Sequence, residues 1–305
     1  MEAEFLTWLR ERLPSHRALQ LGIGDDAAVL RVTGQAGCVV TSDTLNEGID
    51  FHADRTDWRL VGRKSLAVNL SDLAAMAAEP LAVIVSLTLP RSNALEIAKA
   101  LYEGILPLAD QFDVAIAGGD TGCWDGPLTI TITALGQPTD RGPLLRSGAK
   151  PGDAVLVTGS FGGSILGRHL RFTPRVREAL LLNREYELHA GTDVSDGLSL
   201  DLSHITTESN CGAVLDLTAI PIHTDARRLA QTDSDRRGAL EHALGDGEDF
   251  ELILGASADE AERLLDDQPL DVPITRIGTF VREKGLWAED GTGRPQPLPP
   301  RGYEH

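Results

Sequence analysis

The chain has 305 residues, enough for one large domain or two of ordinary size, and its 42% hydrophobic and 24% charged residues are typical of a globular protein. The formal net charge of −18 argues against nucleic acid as a partner, because an acidic surface repels a phosphate backbone. No basic and apolar leader and no run of about 18 apolar residues is found, so we expect a cytoplasmic protein with no membrane partner.

The first predicted elements are two strands separated by a helix. Residues 37–43 form an apolar run that ends in polar residues, which is typical of a strand. The sequence then predicts a helix over 56–79, capped by the threonine at its first position and ended by Pro80. Residues 81–89 form a short, continuous apolar run, which predicts a buried strand.

A second helix and a strand complete the first half of the chain. The helix is expected to open at Ser92 or Asn93 and to run to about Phe112. Residues 128–135 alternate apolar side chains with threonines, which predicts a half-buried strand paired antiparallel.

A stretch rich in glycine, proline and charge, residues 136–153, predicts a boundary between two domains. Beyond it the alternation of strands and helices resumes, and a helix near 197–208 carries an apolar face. We therefore expect two mixed α/β domains, covering residues 1–140 and 141–305. The strands predicted in the second domain are 154–159, 213–217, 250–254 and 274–278.

Aspartate stands beside glycine, serine or threonine in six segments, mostly at the ends of predicted strands. A single segment of this kind is more often an ordinary turn, because aspartate bonds nearby backbone and glycine accepts positive φ. Six in one chain favour a site, since sites are usually built from the loops that follow strands. The segments are GIGDDAA (22–28), TSDT (41–44), NLSD (69–72), AGGDT (117–121), DVSDG (193–197) and GDGED (245–249).

Asp72 is the most informative of these residues, because residues 66–78 are otherwise apolar nearly all round. A helix of that kind is normally buried, and a buried carboxylate must be protonated, paired or bound to a cation. Two interpretations stay open for Asp72. It is either a hydrogen-bonded side chain that faces Asn69 one turn earlier, or a cation ligand.

Asp25 and Asp26 are adjacent like charges that repel each other unless they are exposed or neutralised. Clusters of aspartate without histidine or cysteine suit Mg²⁺, which also binds phosphate oxygens. Neighbouring glycines let backbone N–H groups approach phosphates. These features indicate a nucleotide-phosphate site built from several loops. The sequence has no P-loop and no protein-kinase motif, so it belongs to neither of those kinase classes.

Seven motifs resemble, in order and approximate spacing, those of bacterial thiamine-monophosphate kinases. The resemblance runs from about Leu21 to Tyr303 and extends to the aminoimidazole ribonucleotide synthetase-like superfamily. It implies two mixed α/β domains of that type without a P-loop, ATP bound at Mg²⁺-bridged acidic residues, and a homodimer formed through the N-terminal domains. The motifs are GIGDDAA, TSDTLNEG, KSLAVNLSDLAAM, AGGDT, RSGAKPGD, DVSDGLSLDLSHI and GEDFEL.

The resemblance also implies site residues, and it gives Asp43, Asp72 and Asp120 the central catalytic role. Glu248 resembles a substrate-binding residue, and Asp50 and Pro300 stand at positions expected to contact substrate in the family. The residues that resemble Mg²⁺ ligands are Asp26, Thr41, Ser42, Asp43, Asp72, Asp120, Asp193 and Asp196, and those that resemble ATP contacts are Gly119, Asp120, Arg146 and Ser195.

Three departures from the family pattern concern the acceptor. Asp50 stands where the family usually has histidine, Pro300 where it usually has an aromatic residue, and Asp246 where it usually has glycine. The implied activity is transfer of phosphate from ATP to thiamine monophosphate. A related ATP-dependent enzyme acting on another small phosphorylated metabolite, or a non-catalytic nucleotide-binding regulator, are the alternatives.

Overall fold

The computed structural model describes residues 19–21, 25–32, 37–232, 236–289 and 295–303. A six-stranded sheet organises the first half of the chain. Its strands are β1 (Leu19–Leu21), β2 (Ala28–Leu30), β3 (Cys38–Asn46), β4 (Ala78–Pro90), β5 (Ala115–Trp124) and β6 (Thr129–Pro138). Their order in the sheet is β1-β2-β3-β6-β4-β5, so β5 is an edge strand.

Two helices of 18 residues, α1 (Trp58–Ala75) and α2 (Ala94–Gln111), belong to this half. The predicted helix over 56–79 is wrong at both ends. Asp57 rather than Thr56 caps α1, since its side chain accepts from the backbone N–H of Arg59 at 2.9 Å. The helix ends at Ala75 because Ala77 adopts a left-handed φ of 48°, and Pro80 lies inside β4.

Strand β4 is longer than the predicted strand over 81–89 and is buried on one face only. Its side chains alternate between buried and exposed, and Ile84 is 42% exposed. The expectation of a fully buried strand is therefore wrong, because helices cover one face of the sheet and leave the other uncovered. The prediction for 128–135 is confirmed: β6 pairs antiparallel with both β3 and β4 and buries Ile130 and Ile132.

A seven-stranded sheet organises the second half, with the order β13-β12-β9-β11-β7-β10-β8. All four strands predicted there are present, with slightly shifted ends. The strands are β7 (Ala154–Thr158), β8 (Leu188–Asp193), β9 (Gly212–Asp216), β10 (Leu252–Ala256), β11 (Ile274–Val281), β12 (Gly285–Glu289) and β13 (Gln296–Pro297).

Five α-helices accompany this sheet within the described ranges. They are α3 (Val176–Glu185), α4 (Leu198–Glu208), α5 (Thr224–Leu229), α6 (Ala239–Gly245) and α7 (Ala258–Asp267). The helix predicted near 197–208 corresponds to α4, which buries the predicted apolar face of Leu198, Leu202 and Ile205. No helix of the described segments is both long and apolar enough to cross a membrane.

Helix α1 lies between the two halves of the molecule. It packs against β3, β4 and β6 on one side and against β8 and α3 on the other, and Leu66, Leu70 and Leu73 are fully buried. Because α1 has almost no solvent-facing side, its polar residues must find partners inside the protein. The partners come from both sheets and define the candidate site.

Candidate functional site

Three carboxylates from distant parts of the chain meet beside α1, and we call Asp26, Asp72 and Asp193 the acidic cluster. Asp26 lies two residues before the start of β2, Asp72 lies in the last turn of α1, and Asp193 ends β8. One carboxylate oxygen of each lies within 4.8 Å of the others. The cluster contains no histidine or cysteine, so its donor set suits a hard, oxygen-preferring cation such as Mg²⁺.

Arg146 is the arginine that contacts the Asp26 carboxylate of the cluster. Arg146 donates to the Asp26 carboxylate from Nη2 at 2.6 Å and from Nε at 3.2 Å, and Thr192 Oγ1 donates to it at 2.8 Å. The backbone N–H of Arg146 also donates to the carboxylate of Asp25 at 3.0 Å. Arg146 therefore ties the segment of Asp25 and Asp26 to the second half of the chain.

Hydroxyl groups, rather than positive charges, contact the other two carboxylates. Thr41 on β3 donates to Asp72, and Ser71 on α1 donates to Asp193. Asn69 does not pair with Asp72, because its amide donates to the carbonyl oxygen of Ser65 at 3.0 Å. Asp72 is therefore hydrogen-bonded, as the first interpretation had it, but to Thr41 and not to Asn69, and the cation interpretation stays a prediction.

The cluster holds more negative charge than its surroundings neutralise. Burial, with a further contribution from the charge of Asp26, raises the pKa of both Asp193 and Asp25 to about 7. Burial also raises the pKa of Asp72 well above its ordinary value, and the nearby charges of Asp43, Asp193 and Asp26 add to this. A bound divalent cation would relieve this repulsion and keep all of these groups ionised.

A second acidic group adjoins the first through the turn that leads into α4. Carboxylate or imidazole atoms of Asp196, Asp201 and His204 lie within 4.8 Å of one another. Asp201 Oδ2 accepts from the backbone N–H groups of Asp196 and Gly197, both at 3.0 Å. Burial, and next the charge of Asp196, raises the pKa of Asp201. The carboxylate of Asp201 thus fixes the backbone of Asp196, a predicted site residue. The sequence analysis did not select Asp201.

Three predicted residues on the first sheet lie away from the acidic cluster within one chain. Ser42 faces the uncovered side of the sheet, where its hydroxyl bonds with that of Thr133 at 3.0 Å. Gly119 and Asp120 are exposed on edge strand β5. The register through β6 and β4 puts Gly119 three strands from Asp43, roughly 14 Å at ordinary strand spacing.

The predicted substrate residues Asp50 and Glu248 meet at a residue that the sequence analysis did not select, Lys64. The ammonium group of Lys64 contacts the carboxylate of Glu248 and donates to the carbonyl oxygen of Asp50 at 3.3 Å. The backbone N–H of Glu248 donates to the carbonyl oxygen of Ser195 at 2.6 Å, which connects a predicted ATP contact to the same loop. The carboxylate of Asp50 accepts from the backbone N–H of Asn46 at 2.7 Å.

Pro300 is exposed and belongs to a C-terminal segment that packs beside the turn of Asp196. Ser199 Oγ donates to the carbonyl oxygen of Arg301 at 3.0 Å, and the backbone N–H of Tyr303 donates to that of Asp196 at 2.9 Å. The C-terminal segment therefore lies next to the second acidic group.

Lys64, Ser71, Thr192 and Asp201 are the residues of this region that sequence reasoning missed. Each signal was faint: Lys64 is a lysine in a helix that is otherwise nearly apolar, and Ser71 directly precedes Asp72. Thr192 has no local signal, because its partner Asp26 is 166 residues away. Asp201 had a local signal, since it lies four residues after Gly197 in the segment DVSDGLSLD.

Two family models match the chain in sequence order. The model described as "AIR synthase related protein, N-terminal domain" matches residues 24–137. The model described as "AIR synthase related protein, C-terminal domain" matches residues 150–289. Together they include the three members of the acidic cluster, and Arg146 lies in the short stretch between the two matched ranges.

Curated relatives match the chain over nearly its full length. A thiamine-monophosphate kinase of Rhodopirellula baltica is 44% identical, with 100% of this chain and 97% of the relative covered. The thiamine-monophosphate kinase of Escherichia coli is 35% identical, covering 97% of this chain and 95% of the relative. These similarities extend across both halves of the molecule.

Solved structures give the same picture of the fold. The crystal structure of a thiamine-monophosphate kinase from Stenotrophomonas maltophilia is 36% identical, with a TM-score of 0.75 and coverage of 94% of this chain and 95% of that chain. A structure described as "AaThiL complexed with AMPPCP and TMP" has a TM-score of 0.85 at 24% identity, covering 100% of this chain and 96% of that chain. At that identity, the second likeness concerns the fold alone.

Proposed function

We propose that this chain, which belongs to the thiamine-monophosphate kinase family, transfers the γ-phosphoryl group of ATP to thiamine monophosphate and forms thiamine diphosphate. The convergence of Asp26, Asp72 and Asp193, with carboxylate oxygens within 4.8 Å of one another and Arg146 beside them, is the observation that carries the proposal. The related kinases named above support the choice of ATP and thiamine monophosphate as substrates. We propose the cytoplasm as the compartment, because the reaction consumes ATP.

The residues present fit Mg²⁺, since the donors are carboxylate and hydroxyl oxygens. Asp26, Asp72 and Asp193 would hold it, together with Thr41 and Asp43 on β3. When bound, Mg²⁺ would neutralise the repulsion between ATP and an anionic acceptor and hold their phosphates in line. Ser42, Asp120 and Asp196 are retained as proposed further ligands.

The chain's own residues supply orientation rather than proton transfer. A phosphate monoester is mostly dianionic at neutral pH, since its second pKa is about 6, so its attacking oxygen needs no general base. This agrees with the oxygen-only composition of the acidic cluster. Arg146, oriented by Asp26, can contact an ATP phosphate, and Gly119 and Ser195 are the other proposed ATP contacts.

The proposal divides the work between the two halves of the chain. Residues 1–140 would bind ATP and metal and form the dimer, and residues 141–305 would complete the site with Arg146, Asp193 and Glu248. Strand β6 ends at Pro138 and β7 begins at Ala154, so the proposed boundary falls between the two sheets.

The test of the activity is a coupled assay of ADP release, run with and without thiamine monophosphate and with and without Mg²⁺. We expect ADP release only when both are present. A panel of other phosphorylated metabolites separates the alternatives: a better acceptor in the panel would indicate a related enzyme. ATP binding without turnover on any acceptor would indicate a regulator and overturn the proposal.

Asp50, Glu248 and Pro300 are the proposed acceptor contacts, and Asp50 is the departure that can be tested directly. A carboxylate at this position can attract the positively charged thiazolium ring. We expect the Asp50→His variant to change the KM for thiamine monophosphate while the KM for ATP stays within twofold. An unchanged KM for thiamine monophosphate would remove Asp50 from the acceptor pocket.

We also propose a homodimer, formed when a second copy covers the uncovered face of the first sheet. That face exposes apolar side chains of β4, Leu81 and Ile84, and the adjoining strand β5 offers a free edge with Trp124 exposed. Unpaired strand edges and exposed apolar patches are features that proteins bury in assemblies. Asp120 lies on β5, so its proposed metal contact depends on this dimer.

Light scattering coupled to size-exclusion chromatography tests the dimer. The molar mass of the wild type should be twice that of one chain, and the molar mass of Ile84→Asp should equal that of one chain. Leu106→Asp, at an equally exposed position on α2, is the matched control and should leave the dimer intact. A monomeric wild type would overturn the dimer and the proposed metal contact of Asp120, and the assay of ADP release would still decide the proposed activity.

A further inference from the structure

Lys64 is a buried lysine on α1, where the two halves of the chain meet. Its side chain is 1% exposed, whereas that of its partner Glu248 is 33% exposed. Removing an ammonium group from water is costly unless the group is paired and hydrogen-bonded. Lys64 meets this condition through the Glu248 carboxylate and, at 3.3 Å, the carbonyl oxygen of Asp50.

Lys64 contacts two loops that are far apart in the sequence. The first, residues 46–51, closes on itself: Gly48 donates its backbone N–H to the carbonyl oxygen of Phe51 at 2.7 Å. The second, residues 246–250, runs between α6 and β10. Lys64 is the charged contact between them, and 184 residues separate it from Glu248.

The second loop has a strained backbone that its surroundings must hold. Glu248 and Phe250 adopt left-handed φ values of 63° and 52°, which non-glycine residues seldom do. The backbone N–H of Phe250 donates to the carbonyl oxygen of Val194 at 2.7 Å, and Ser164 Oγ donates to that of Gly247 at 2.6 Å. These contacts fix the backbone, and the contact from Lys64 fixes the Glu248 side chain.

Apolar side chains lie on the segments that adjoin this carboxylate. Ile49 precedes Asp50 and is 68% exposed, and Ile165, which follows Ser164, is 62% exposed. A carboxylate between segments that carry exposed aliphatic side chains is chemically suited to a ring that is both cationic and apolar.

We propose that Lys64 is a positioning residue that holds Glu248 and the loop of Asp50 in the arrangement that receives the cationic ring of the acceptor. The inference rests on the proposed function, because it takes the acceptor to be thiamine monophosphate. Lys64 acts through Glu248 and Asp50 and does not touch the reacting phosphates. Its loss should therefore weaken acceptor binding and leave ATP binding unchanged.

The test compares Lys64→Met, Lys64→Arg, Glu248→Gln and the double variant Lys64→Met with Glu248→Gln. Methionine is unbranched and apolar, so it fits the buried site without a charge. We expect Lys64→Met to raise the KM for thiamine monophosphate at least tenfold, with the KM for ATP and kcat within twofold. Lys64→Arg should recover part of the loss, and the double variant should be no worse than Glu248→Gln alone.

Lys99→Met, at an exposed lysine on α2, is the matched control and should behave as wild type. Equal increases in both KM values, an unchanged KM for thiamine monophosphate, or fully additive losses in the double variant would overturn the positioning role. A crystal structure of Lys64→Met gives a readout without turnover: the Glu248 side chain should be displaced or disordered, and an undisturbed Glu248 would also overturn the role. If the wild type fails to use thiamine monophosphate, the proposed function fails instead, and this structural readout still decides the role of Lys64.

Discussion

Two acidic regions of this molecule look alike in sequence and differ in how their charge is balanced. In the acidic cluster, Arg146 is the arginine that contacts Asp26, and Asp72 and Asp193 accept from hydroxyl groups. In the segment that leads into β10, Glu248 pairs with Lys64, and the other three carboxylates each have an arginine. Asp246 pairs with Arg237, Asp249 with Arg168 and Glu251 with Arg175.

Backbone N–H groups complete the balance in the second region. Gly162 donates to Asp249 at 2.8 Å and Gly163 donates to Asp246 at 2.9 Å. Both glycines have left-handed φ values, and a Cβ on Gly162 would lie 2.7 Å from the backbone nitrogen of Ala243. Asp246, Asp249 and Glu251, each held by its own arginine, therefore maintain the fold, whereas the surplus carboxylates of the acidic cluster are available to a ligand.

The largest expected effect is loss of turnover when the surplus charge is removed. Asp43→Asn and Asp72→Asn should each lower kcat at least 1,000-fold, which corresponds to about 4 kcal/mol of transition-state stabilisation. Asparagine keeps the shape of the side chain, so circular dichroism should be unchanged. Asp125 is an exposed carboxylate that pairs with Arg91, and the control variant Asp125→Asn should be fully active.

Asp120→Asn extends this prediction to the proposed dimer. The same loss of turnover, with the dimer intact, is expected if Asp120 serves the site. Near-normal turnover in the Asp43 or Asp72 variant would break the comparison itself, and near-normal turnover in Asp120→Asn would remove Asp120 from the site.

In the balanced region we expect loss of stability instead. Glu251→Ala leaves the Arg175 guanidinium without its main partner and should cost about 3 kcal/mol of unfolding free energy. Chemical denaturation measures this loss, and Glu178→Ala, on the second partner of Arg175, should cost less. The Mg²⁺ affinity of the folded variant should match that of the wild type, and a large drop in that affinity would contradict the division between the regions.

The pH dependence of Mg²⁺ binding sharpens the comparison further. Burial, aided by the charge of Asp26, raises the pKa of Asp193 and of Asp25 to about 7, so protons occupy these groups in the metal-free protein at lower pH. Mg²⁺ requires the ionised carboxylates, so affinity should rise from pH 6 to pH 8 by roughly tenfold for each group that titrates. Calorimetry in buffers of different ionisation enthalpy should detect proton release, and affinity that is independent of pH would contradict this account.

The smallest effect is a gain in stability without metal. The folded-state pKa of Asp193 is raised from 3.8 to about 7, so its ionisation progressively destabilises the fold as pH rises through this range. At pH 8 and without Mg²⁺, Asp193→Asn should therefore raise Tm by roughly 3 °C, or about 1 kcal/mol. The gain should shrink at pH 5, where the wild-type group is protonated, and a lower Tm at pH 8 would show that Asp193 is a balanced, structural acid.

Local sequence patterns predicted seven of the described strands, three of the described helices and the aspartate segments that contain the acidic cluster. They did not predict β5 and β8, the strands that carry Asp120 and Asp193. The strict alternation of 128–135 predicted β6, and the apolar surroundings of Asp72 predicted that its carboxylate needs a partner or a cation. Both inferences rest on one element at a time, so they required no knowledge of how the sheets pack.

Contacts between distant segments could not be predicted in this way. Ser71 and Asp193 are 122 residues apart, and Lys64 and Glu248 are 184 apart, so no local spacing connects them. The family resemblance named Asp120 and Ser42, but a single chain holds both away from the cluster. Helix α1 ends before the predicted residue because Ala77 has a left-handed backbone conformation. Alanine rarely adopts this conformation, so the local sequence did not predict it.

A crystal structure with a non-hydrolysable ATP analogue and Mg²⁺ would show whether the acidic cluster binds metal. We expect oxygens of Asp26, Asp43, Asp72 and Asp193 within about 2.1 Å of metal ions that also contact the nucleotide phosphates. If the nucleotide binds while these four carboxylates contact no metal, the surplus charge has another purpose and the account is wrong.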